Sequence, residues 1–238
     1  MTSKKDEERK RVRELAAEYA ERGDATGWFE QLYKEGVAGE TEIPWADMEP
    51  NRFFRAWAEK NGLEGNGRKA LVVGCGLGDD AIYLEQLGFN VTAFDISQTA
   101  VDWAKRLHPE SKVRFEQGDL LEPYPRWLGA FEFVLEIYTI QPLPIDLRPL
   151  VLDRVASLVA PGGELVVVAR GRDDDEEPEQ LPWPLSRRDL GRFLENGLEQ
   201  VSFEEVPPEE DDDTPRFIVE YERPNGHSTL HSHKILGV

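Results

Sequence analysis

The stretch LVVGCGLGDD, residues 71–80, joins an apolar run to three glycines that alternate with other residues. The run of Leu and Val predicts a buried strand, and the glycines predict a sharp turn that a ligand can approach closely. The two aspartates that follow would begin a helix. This order of strand, glycine turn and helix is the unit that opens many ligand-binding α/β folds.

Downstream of this turn, strand-like and helix-like segments alternate. Strands are predicted at KALVVG, NVTAFD, KVRFEQGD, AFEFVLEIYT and ELVVVARG. Two further runs, LEQVSFEEV and PRFIVEYER, have no helix between them and predict an antiparallel hairpin. Continuous Val-rich strands predict a parallel sheet that is covered on both faces. We therefore expect a Rossmann-like three-layer α/β sandwich, whose seven-stranded sheet is mostly parallel with an antiparallel last strand.

The segments around this alternation divide the chain into three parts. Residues 1–50 predict helices and a Trp-containing loop, which we interpret as a helical lid. Residues 51–224 form the predicted core, in which APGG at 160–163 predicts a tight turn and SRRDLGRFLENG at 186–197 predicts one helix. Residues 225–238 have no clear period, so we expect a flexible tail, and we expect its histidines not to form a metal site.

Charge and cysteine content exclude several classes of protein. The 238 residues carry a formal net charge of −19, which would repel a nucleic-acid backbone. We find no apolar run long enough for a membrane span, no signal peptide, and one cysteine, so we expect a cytoplasmic protein without a membrane partner. The acidic runs at 173–177 and 209–213 are interpreted as solvated loops, with attraction of a cationic substrate as the alternative.

The spacing of the glycines argues against a pyrophosphate ligand. Dinucleotide-binding turns have the pattern G-x-G-x-x-G, whereas Gly74, Gly76 and Gly78 simply alternate. Asp79 and Asp80 would compete with a phosphate for the N–H groups at the start of the next helix. The turn therefore suits a ligand that has no phosphate and carries a positive charge.

Carboxylates follow the next two predicted strands. Asp95 lies 21 residues after Gly74, where a carboxylate can accept hydrogen bonds from both hydroxyls of a ribose. Asp119 follows the third strand, where it can bind an adenine amino group while Leu120 packs on the ring. Each aspartate could instead be an ordinary residue at a strand end or turn. With the glycine turn, however, the two acids indicate an adenosine-binding edge of the sheet.

Together these residues resemble the class I S-adenosylmethionine-dependent methyltransferases. The matching pieces are VVGCGLGDDA, FDIS, GDL, FEFVLEIYT and LVAPGGELVVV, in the order typical of that family. The resemblance implies S-adenosylmethionine as cofactor and S-adenosylhomocysteine as product. The residues that it places at the cofactor are Gly74, Cys75, Gly76, Gly78, Asp95, Ile96, Asp119, Leu120, Glu136 and Trp45. One departure is Val72, which stands where the family has an acid.

A narrower resemblance is to the thiopurine methyltransferase-like group, which includes halide and thiol methyltransferases. The group is matched by GCGLGDD, by the Trp28 helix with the Pro44-Trp45 loop, and by LPWPLSRRDL. It implies a small-molecule acceptor, with a thiol or another soft nucleophile favoured, and no metal. The group often has an acid followed directly by Tyr, whereas this chain has Glu136-Ile137-Tyr138, so the direction of Tyr138 stays open.

The resemblance also implies an acceptor site lined by aromatic side chains. The residues expected to line it are Trp28, Tyr33, Trp45, Tyr138 and Trp183. The helical spacing of Trp28 and Tyr33 equally suits core residues. Glu136 and Tyr138 are the candidate proton acceptors for an amine or hydroxyl, whereas a thiolate or halide needs little acid–base chemistry. Cys75 is interpreted as a small apolar residue because no basic neighbour in sequence would lower its pKa.

Three alternatives remain open. Natural-product O- or N-methylation uses the same cofactor site. A nicotinamide-dependent oxidoreductase would use Asp95 but not this glycine spacing, and the sequence has no Tyr-x-x-x-Lys pair. A non-catalytic module of the same fold is the third alternative. The sequence is compatible with a monomer or a homodimer.

Overall fold

The computed structural model describes residues 4–122, 124–178, 180–208 and 214–226. Three helices come first: α1 (Lys4–Glu21), α2 (Gly27–Val37) and α3 (Arg52–Asn61). The sequence predicts helical segments in all three places. Asn51 begins α3 because its side chain accepts hydrogen bonds from the N–H groups of Phe53 and Phe54, and Gly62 ends it in the left-handed conformation.

From Lys69 onward the chain alternates between strands and helices, as predicted. The first elements are β1 (Lys69–Val73), α4 (Asp79–Gln86), β2 (Asn90–Asp95), α5 (Gln98–Leu107) and β3 (Arg114–Gln117). They are followed by β4 (Phe131–Ile137), α6 (Arg148–Leu158) and β5 (Val159–Arg170). The last elements are α7 (Arg187–Leu190), α8 (Arg192–Glu195), β6 (Glu199–Val206) and β7 (Arg216–Glu222).

The seven strands form one sheet in the order β3-β2-β1-β4-β5-β7-β6. Strands β1 to β5 pair in parallel, and β7 pairs antiparallel with both β5 and β6. This topology confirms the predicted Rossmann-like sheet and the hairpin of the last two strands. The order of the strands reverses between β1 and β4, and such a switch point leaves a crevice at the carboxyl ends of the strands.

Both faces of the sheet are buried. Leu71 and Val134 face α6, whereas Val72 and Phe133 face the layer of α3, α4 and α5. Burial of one such side chain contributes roughly 1.5–3 kcal/mol to folding, which explains why the central strands are apolar at every position. Val72, at the position where the family that the sequence resembles has an acid, is thus a core residue with a largely buried side chain.

The N-terminal segment (residues 4–50) packs over the sheet as a separate apolar cluster. Its buried members include Leu15, Trp28, Leu32 and Tyr33, and the cluster extends to Leu77 in the glycine turn. A guanidinium–carboxylate pair between Arg11 and Glu35 joins α1 to α2. The segment therefore lies over the carboxyl edge of the sheet near β1 and β2. Among the residues described, no helix has both the length and the apolar content that crossing a bilayer requires.

Two local predictions are wrong. Residues 160–163 do not form a separate turn, because β5 begins at Val159 and takes them into the strand. A register shift between Phe131 and Phe133 and a positive φ of 72° at Gly162 accommodate them as an irregularity in the β4–β5 pair. Residues 186–197 form two short helices rather than one. Glycine lowers helix propensity, and after Gly191 the chain continues with an i→i+3 bond from Leu194 N to the Gly191 carbonyl.

The predicted acidic loops and tail are only partly described. Residues 173–177 are described and exposed, which agrees with a solvated loop. The acidic run at 209–213 and the tail from 227 onward, with His227, His231 and His233, lie outside the described residues.

Candidate functional site

The glycine turn between β1 and α4 requires its glycines. Gly74 has a φ of 61° and Gly76 a φ of 53°, in the left-handed region that favours glycine. A Cβ atom on Gly74 would lie 2.4 Å from the Thr139 hydroxyl oxygen, and one on Gly76 would lie 3.0 Å from the Tyr33 hydroxyl oxygen. Side chains from two other segments therefore lie directly against this turn, and the close approach of a ligand stays a prediction.

Asp95 stands at the carboxyl end of β2, beside the glycine turn. One of its carboxylate oxygens accepts a hydrogen bond from the Gly76 N–H at 2.9 Å, and the other accepts one from the Ser97 N–H at 2.9 Å. Burial raises the pKa of Asp95 to about 6, although these two hydrogen bonds oppose the rise. A carboxylate has about four acceptor positions, so the two bonds leave room for ribose hydroxyls.

Aromatic side chains of the N-terminal segment cover this turn. The indole N–H of Trp45 donates to the Tyr33 hydroxyl at 2.8 Å, and the two rings meet edge to face. Trp28 stacks on Phe29 with 3.8 Å between ring centroids, and both rings also approach Trp45. Trp28 and Tyr33 are buried, whereas Trp45 is 40% exposed. The structure therefore groups three of the predicted acceptor-site aromatics, together with Phe29, which the sequence analysis did not single out.

Glu30 on α2 fixes this cover to the first turn of α5. Its carboxylate accepts the Ser97 hydroxyl at 2.6 Å, the Thr99 hydroxyl at 2.7 Å and the Thr99 N–H at 3.1 Å. Partial burial raises the pKa of Glu30, but the hydrogen bonds from Ser97 and Thr99 outweigh it and leave the pKa below its usual value. Sequence reasoning missed Glu30, because a charged residue on an amphipathic helix is typical of a solvated face.

Glu136, the last residue but one of β4, has a fully buried carboxylate. One oxygen accepts the N–H groups of Thr139 at 2.7 Å and Ile140 at 3.0 Å. Burial raises the pKa of Glu136 to about 7. The other oxygen has no hydrogen-bond partner within the part of the chain that the structure describes. Thr139 in turn donates its hydroxyl to the Val73 carbonyl at 2.9 Å, which places this turn directly against Gly74.

Tyr138 turns away from Glu136. Its φ of 57° is in the left-handed region, and its side chain packs on the sheet face that α3 covers, whereas Glu136 shares the α6 face with Val134. The Tyr138 hydroxyl accepts a hydrogen bond from Arg216 Nε at 3.0 Å. The two predicted proton acceptors therefore lie at one edge of the sheet but on opposite faces.

Hydrogen bonds to the buried residues Gln141 and Arg148 hold the backbone of Trp183. Its N–H donates to the Gln141 carbonyl at 3.1 Å, and its carbonyl accepts from the Arg148 guanidinium at 3.0 Å. The side chain packs against the cluster of the N-terminal segment. The Gln141 side chain accepts the Arg170 N–H at 2.7 Å, so Gln141 links the ends of β4 and β5 to the Trp183 loop.

The residues predicted at the adenine form the turn after β3. Asp119 accepts the Leu121 N–H at 2.8 Å through its side chain, and its own N–H donates to the Tyr124 hydroxyl at 2.7 Å. Leu120 is largely buried in the cluster on the α6 face. Beside β2, the half-buried Ile96 offers its carbonyl to the Gln117 side chain at 3.1 Å.

Asp80 and Gly78 have local structural contacts, and Cys75 lies between Gly74 and Gly76 in the turn. The Asp80 carboxylate accepts the Asn51 N–H at 2.7 Å and so fixes the start of α3, while burial raises the pKa of Asp80 to about 6. Gly78 lies against the Phe115 ring of β3. Burial raises the pKa of the Cys75 thiol well above its usual value, which agrees with its interpretation as a non-nucleophilic residue.

The donor set of this edge fits a cationic, adenosine-containing ligand. Asp95 and Glu136 are buried carboxylates, and one Glu136 oxygen has no partner in the described part of the chain. S-adenosylmethionine carries a sulfonium and an ammonium group that such oxygens can complement. No group of three or more His, Cys, Asp or Glu side chains suited to a metal occurs in the described ranges.

Comparison with known proteins identifies the core. Residues 70–163 match the family model described as "Methyltransferase domain". A probable thiol methyltransferase 2 of Arabidopsis thaliana is 29% identical over 147 residues, which are 61% of this chain and 62% of the relative. A 2-heptyl-1-hydroxyquinolin-4(1H)-one methyltransferase of Mycobacteroides abscessus is 24% identical over 172 residues, covering 70% of this chain and 74% of the relative.

The fold is also that of solved methyltransferases. The structure of a 1,6-didemethyltoxoflavin-N1-methyltransferase from Burkholderia thailandensis, with bound S-adenosylhomocysteine, superposes with a TM-score of 0.61 at 19% identity. The match covers 82% of this chain and 88% of that structure. The glycine turn and Asp95 both lie within residues 70–163, the part of the chain that matches the methyltransferase-domain model.

Proposed function

We propose that this chain transfers a methyl group from S-adenosylmethionine to a small-molecule acceptor, and that the acceptor is a thiol or another soft nucleophile. The observation that carries the proposal is the hydrogen bond from Gly76 N–H to Asp95 beneath the aromatic side chains of the N-terminal segment. This contact fixes the predicted ribose acid against the predicted cofactor turn.

The cofactor supplies a methyl group that its sulfonium already activates. The protein is then required mainly to orient the acceptor and to exclude water. Trp28, Phe29, Tyr33 and Trp45 form an apolar cover next to the glycine turn, which suits a reaction in which a positive charge disappears. We propose the N-terminal segment, residues 1–50, as the lid of this site, with Trp45 and Trp183 on its acceptor side.

A soft nucleophile is favoured because little acid–base chemistry faces the cover. Glu30 is engaged by Ser97 and Thr99, and the half-buried Cys75 thiol, whose pKa is raised well above its usual value, stays protonated at neutral pH. The similarity to a probable thiol methyltransferase supports the same choice. We expect this activity in the cytoplasm, in a monomer or homodimer.

Methylation of an oxygen or nitrogen is the second candidate. The relative from Mycobacteroides abscessus is named for a hydroxyquinolone substrate and matches a longer part of this chain than the thiol relative does. The groups that we propose to remove a proton from such an acceptor are Glu136, whose buried carboxylate has a pKa of about 7, or Tyr138, which Arg216 holds.

The test combines cofactor binding with an acceptor panel. We expect S-adenosylmethionine and S-adenosylhomocysteine to raise the melting temperature, because a ligand that binds the folded state stabilises it. Asp95→Asn should remove most of this rise, whereas Asp102→Asn, at an exposed position on α5, should retain it. Production of S-adenosylhomocysteine is then measured with thiols, halides, phenols and amines. A melting temperature that neither cofactor changes would contradict the proposal, and turnover confined to amines or phenols would favour the second candidate.

A further inference from the structure

Gln141 has a buried amide group of which only the oxygen is used. The residue follows the end of β4 and is 1% exposed, and its Oε1 accepts the Arg170 N–H at 2.7 Å. This contact fixes the orientation of the amide, because a rotated amide would bring its own N–H groups against the Arg170 N–H. The amide nitrogen, Nε2, has no hydrogen-bond partner in the part of the chain that the structure describes.

Arg148, the first residue of α6, has a second nitrogen of this kind. Its side chain is buried, and its Nη1 donates to Asp189 at 3.0 Å while its Nη2 donates to the Trp183 carbonyl at 3.0 Å. Its Nε has no hydrogen-bond partner among the described residues. A buried N–H without a partner loses its hydration without compensation, so each of these two donors calls for a ligand or a bound water.

Both nitrogens belong to residues that hold the backbone of Trp183. The Gln141 carbonyl accepts the Trp183 N–H at 3.1 Å, and Arg148 donates to the Trp183 carbonyl. The Trp183 side chain packs against the apolar cluster of the N-terminal segment. The two residues therefore lie beside the carboxyl ends of β4 and β5, on the side where we propose that the acceptor binds. Opening of the proposed lid would give an acceptor access to this place.

The charge of Arg148 is only partly compensated. Asp189 Oδ2 accepts from Arg148 Nη1 and from Arg172 Nη2, each at 3.0 Å, so two guanidinium groups share one carboxylate oxygen. Burial lowers the pKa of Arg148, Asp189 opposes this change, and the charge of Arg172 adds to it. Asp174 also attracts Arg172, but it is exposed and solvent screens its charge. A further carboxylate beside Arg148 would reduce the repulsion between the two arginines.

We propose that Gln141 Nε2 and Arg148 Nε bind a carboxylate of the acceptor, so that the acceptor is a small molecule with a carboxylate besides its nucleophilic group. This inference rests on the proposed function, because it names the acceptor class of the same site. A carboxylate has two oxygens, which can accept one N–H from each residue, and it supplies the negative charge that Arg148 lacks. A site with buried donors also discriminates against an acceptor that lacks this group, because the donors then stay unpaired.

The first test measures binding and needs no turnover. The probes are 3-mercaptopropionate and 3-mercapto-1-propanol, which share the thiol and the chain length and differ in the carboxylate. Calorimetry is carried out on the full chain, with and without S-adenosylhomocysteine. We expect the acid to bind at least about tenfold more tightly than the alcohol, as is typical of hydrogen bonds to a charged group. Equal affinities, or no binding of the acid, would overturn the inference and leave the two donors to bound water.

Variants assign the preference to the two residues. Gln141→Glu keeps an oxygen for the Arg170 N–H and places a carboxylate oxygen where the donor was, so it should lower the ratio of the acid affinity to the alcohol affinity by at least about tenfold. Arg148→Lys keeps the charge without the Nε–H and should lower the ratio less. Gln200→Glu, the same change of charge at an exposed position of β6, should keep the ratio. An unchanged ratio in Gln141→Glu or in Arg148→Lys would overturn the inference.

The second test measures the same preference during turnover with S-adenosylmethionine. We expect kcat/KM for the acid to exceed that for the alcohol by at least about tenfold in the parent chain, mainly through KM, and the preference to vanish in Gln141→Glu. A merely structural fault in the variant would lower both values alike, so an unchanged preference would contradict the role of Gln141 in binding. Absence of thiol methylation by the parent chain would instead contradict the proposed function, and the binding measurements would still decide whether Gln141 and Arg148 take a carboxylate.

Discussion

The carboxylate of Glu30 accepts the hydroxyl hydrogen of Ser97 at 2.6 Å, although 67 residues separate the two along the chain. The N–H of the same serine donates to Asp95. One residue thus joins the N-terminal segment to the predicted ribose acid. Because α2 also carries Tyr33 over Gly76, we predict that the segment moves when a ligand binds at Asp95 and the glycine turn.

Loss of the Glu30 carboxylate should loosen this cover. We expect Glu30→Ala to destabilise the docked segment by about 1–2 kcal/mol, the typical range for a partly exposed charged hydrogen bond. Hydrogen exchange of α2 should accelerate, and S-adenosylhomocysteine should dissociate faster. Glu14→Gln, at an exposed position on α1, is the matched control. Unchanged exchange of α2 in Glu30→Ala would show that this contact does not hold the segment.

Substitution of Gly76 should test the close approach of Tyr33. We expect Gly76→Ala to destabilise the fold by about 1–3 kcal/mol and to weaken cofactor binding, because φ is positive and the new Cβ meets the Tyr33 hydroxyl. Gly23→Ala shares the positive φ, with nothing within 4 Å of the new Cβ, and so measures the backbone strain alone. In a Tyr33→Phe background, which by itself also loses the hydrogen bond from Trp45, Gly76→Ala should lower the unfolding free energy by no more than Gly23→Ala does. A larger loss in that background would contradict the contact.

Binding of the cofactor should depend on the protonation of Asp95. Burial raises the pKa of Asp95 to about 6, and only the carboxylate offers acceptor positions for two ribose hydroxyls. We therefore expect the affinity for S-adenosylhomocysteine, measured by calorimetry, to be constant above about pH 7. It should fall up to about tenfold per pH unit below pH 6. Asp95→Asn should bind weakly at every pH, and a pH-dependent loss of the same size in that variant would assign the effect to another group.

Glu136 should destabilise the protein at high pH. Its pKa is about 7 in the folded state and 4.5 as the reference, so the folded state binds the extra proton and stability falls as pH rises from about 4.5 to 7. In the free protein, Glu136→Gln should be more stable than the parent chain by about 3 kcal/mol above pH 7, and the gain should vanish below about pH 4.5. Denaturant unfolding of both proteins between pH 4 and pH 8 measures this difference in unfolding free energy. A difference of equal size at pH 4 would exclude ionisation of Glu136 as the cause.

The sheet and the glycine turn could be predicted because their signals are local. Apolar runs beside Gly74 and Asp95 fix the order of strands and helices, and parallel pairing then brings the carboxyl ends together. The absence of a helix before β7 similarly predicts the hairpin. The irregular start of β5 around Gly162 and the division of the helix at Gly191 could not be predicted. The first depends on the register of β5 against β4, and the second depends on the hydrogen bonds that the chain makes after Gly191.

The contacts of the site could not be predicted in the same way. The side of the sheet that Tyr138 faces is decided by one backbone angle, and the sequence pattern of β4 gives no sign of it. Glu30 looks like any charged residue on a helix until Ser97 and Thr99 are brought to it by the fold. The sequence therefore predicts a cofactor edge, whereas the attachment of the N-terminal segment over it depends on contacts between distant segments.

The position of β7 between β5 and β6 has a consequence for synthesis on the ribosome. Strand β6 emerges before β7, yet β7 is the strand with which it pairs. Until β7 arrives, β6 has unpaired backbone groups on both sides, and β5 has an open edge. The glutamates at 199, 204 and 205 keep β6 acidic during this interval, which discourages pairing with other nascent chains. The sheet is thus complete only after β7 has been translated. Until then, the acidic side chains of β6 disfavour its aggregation.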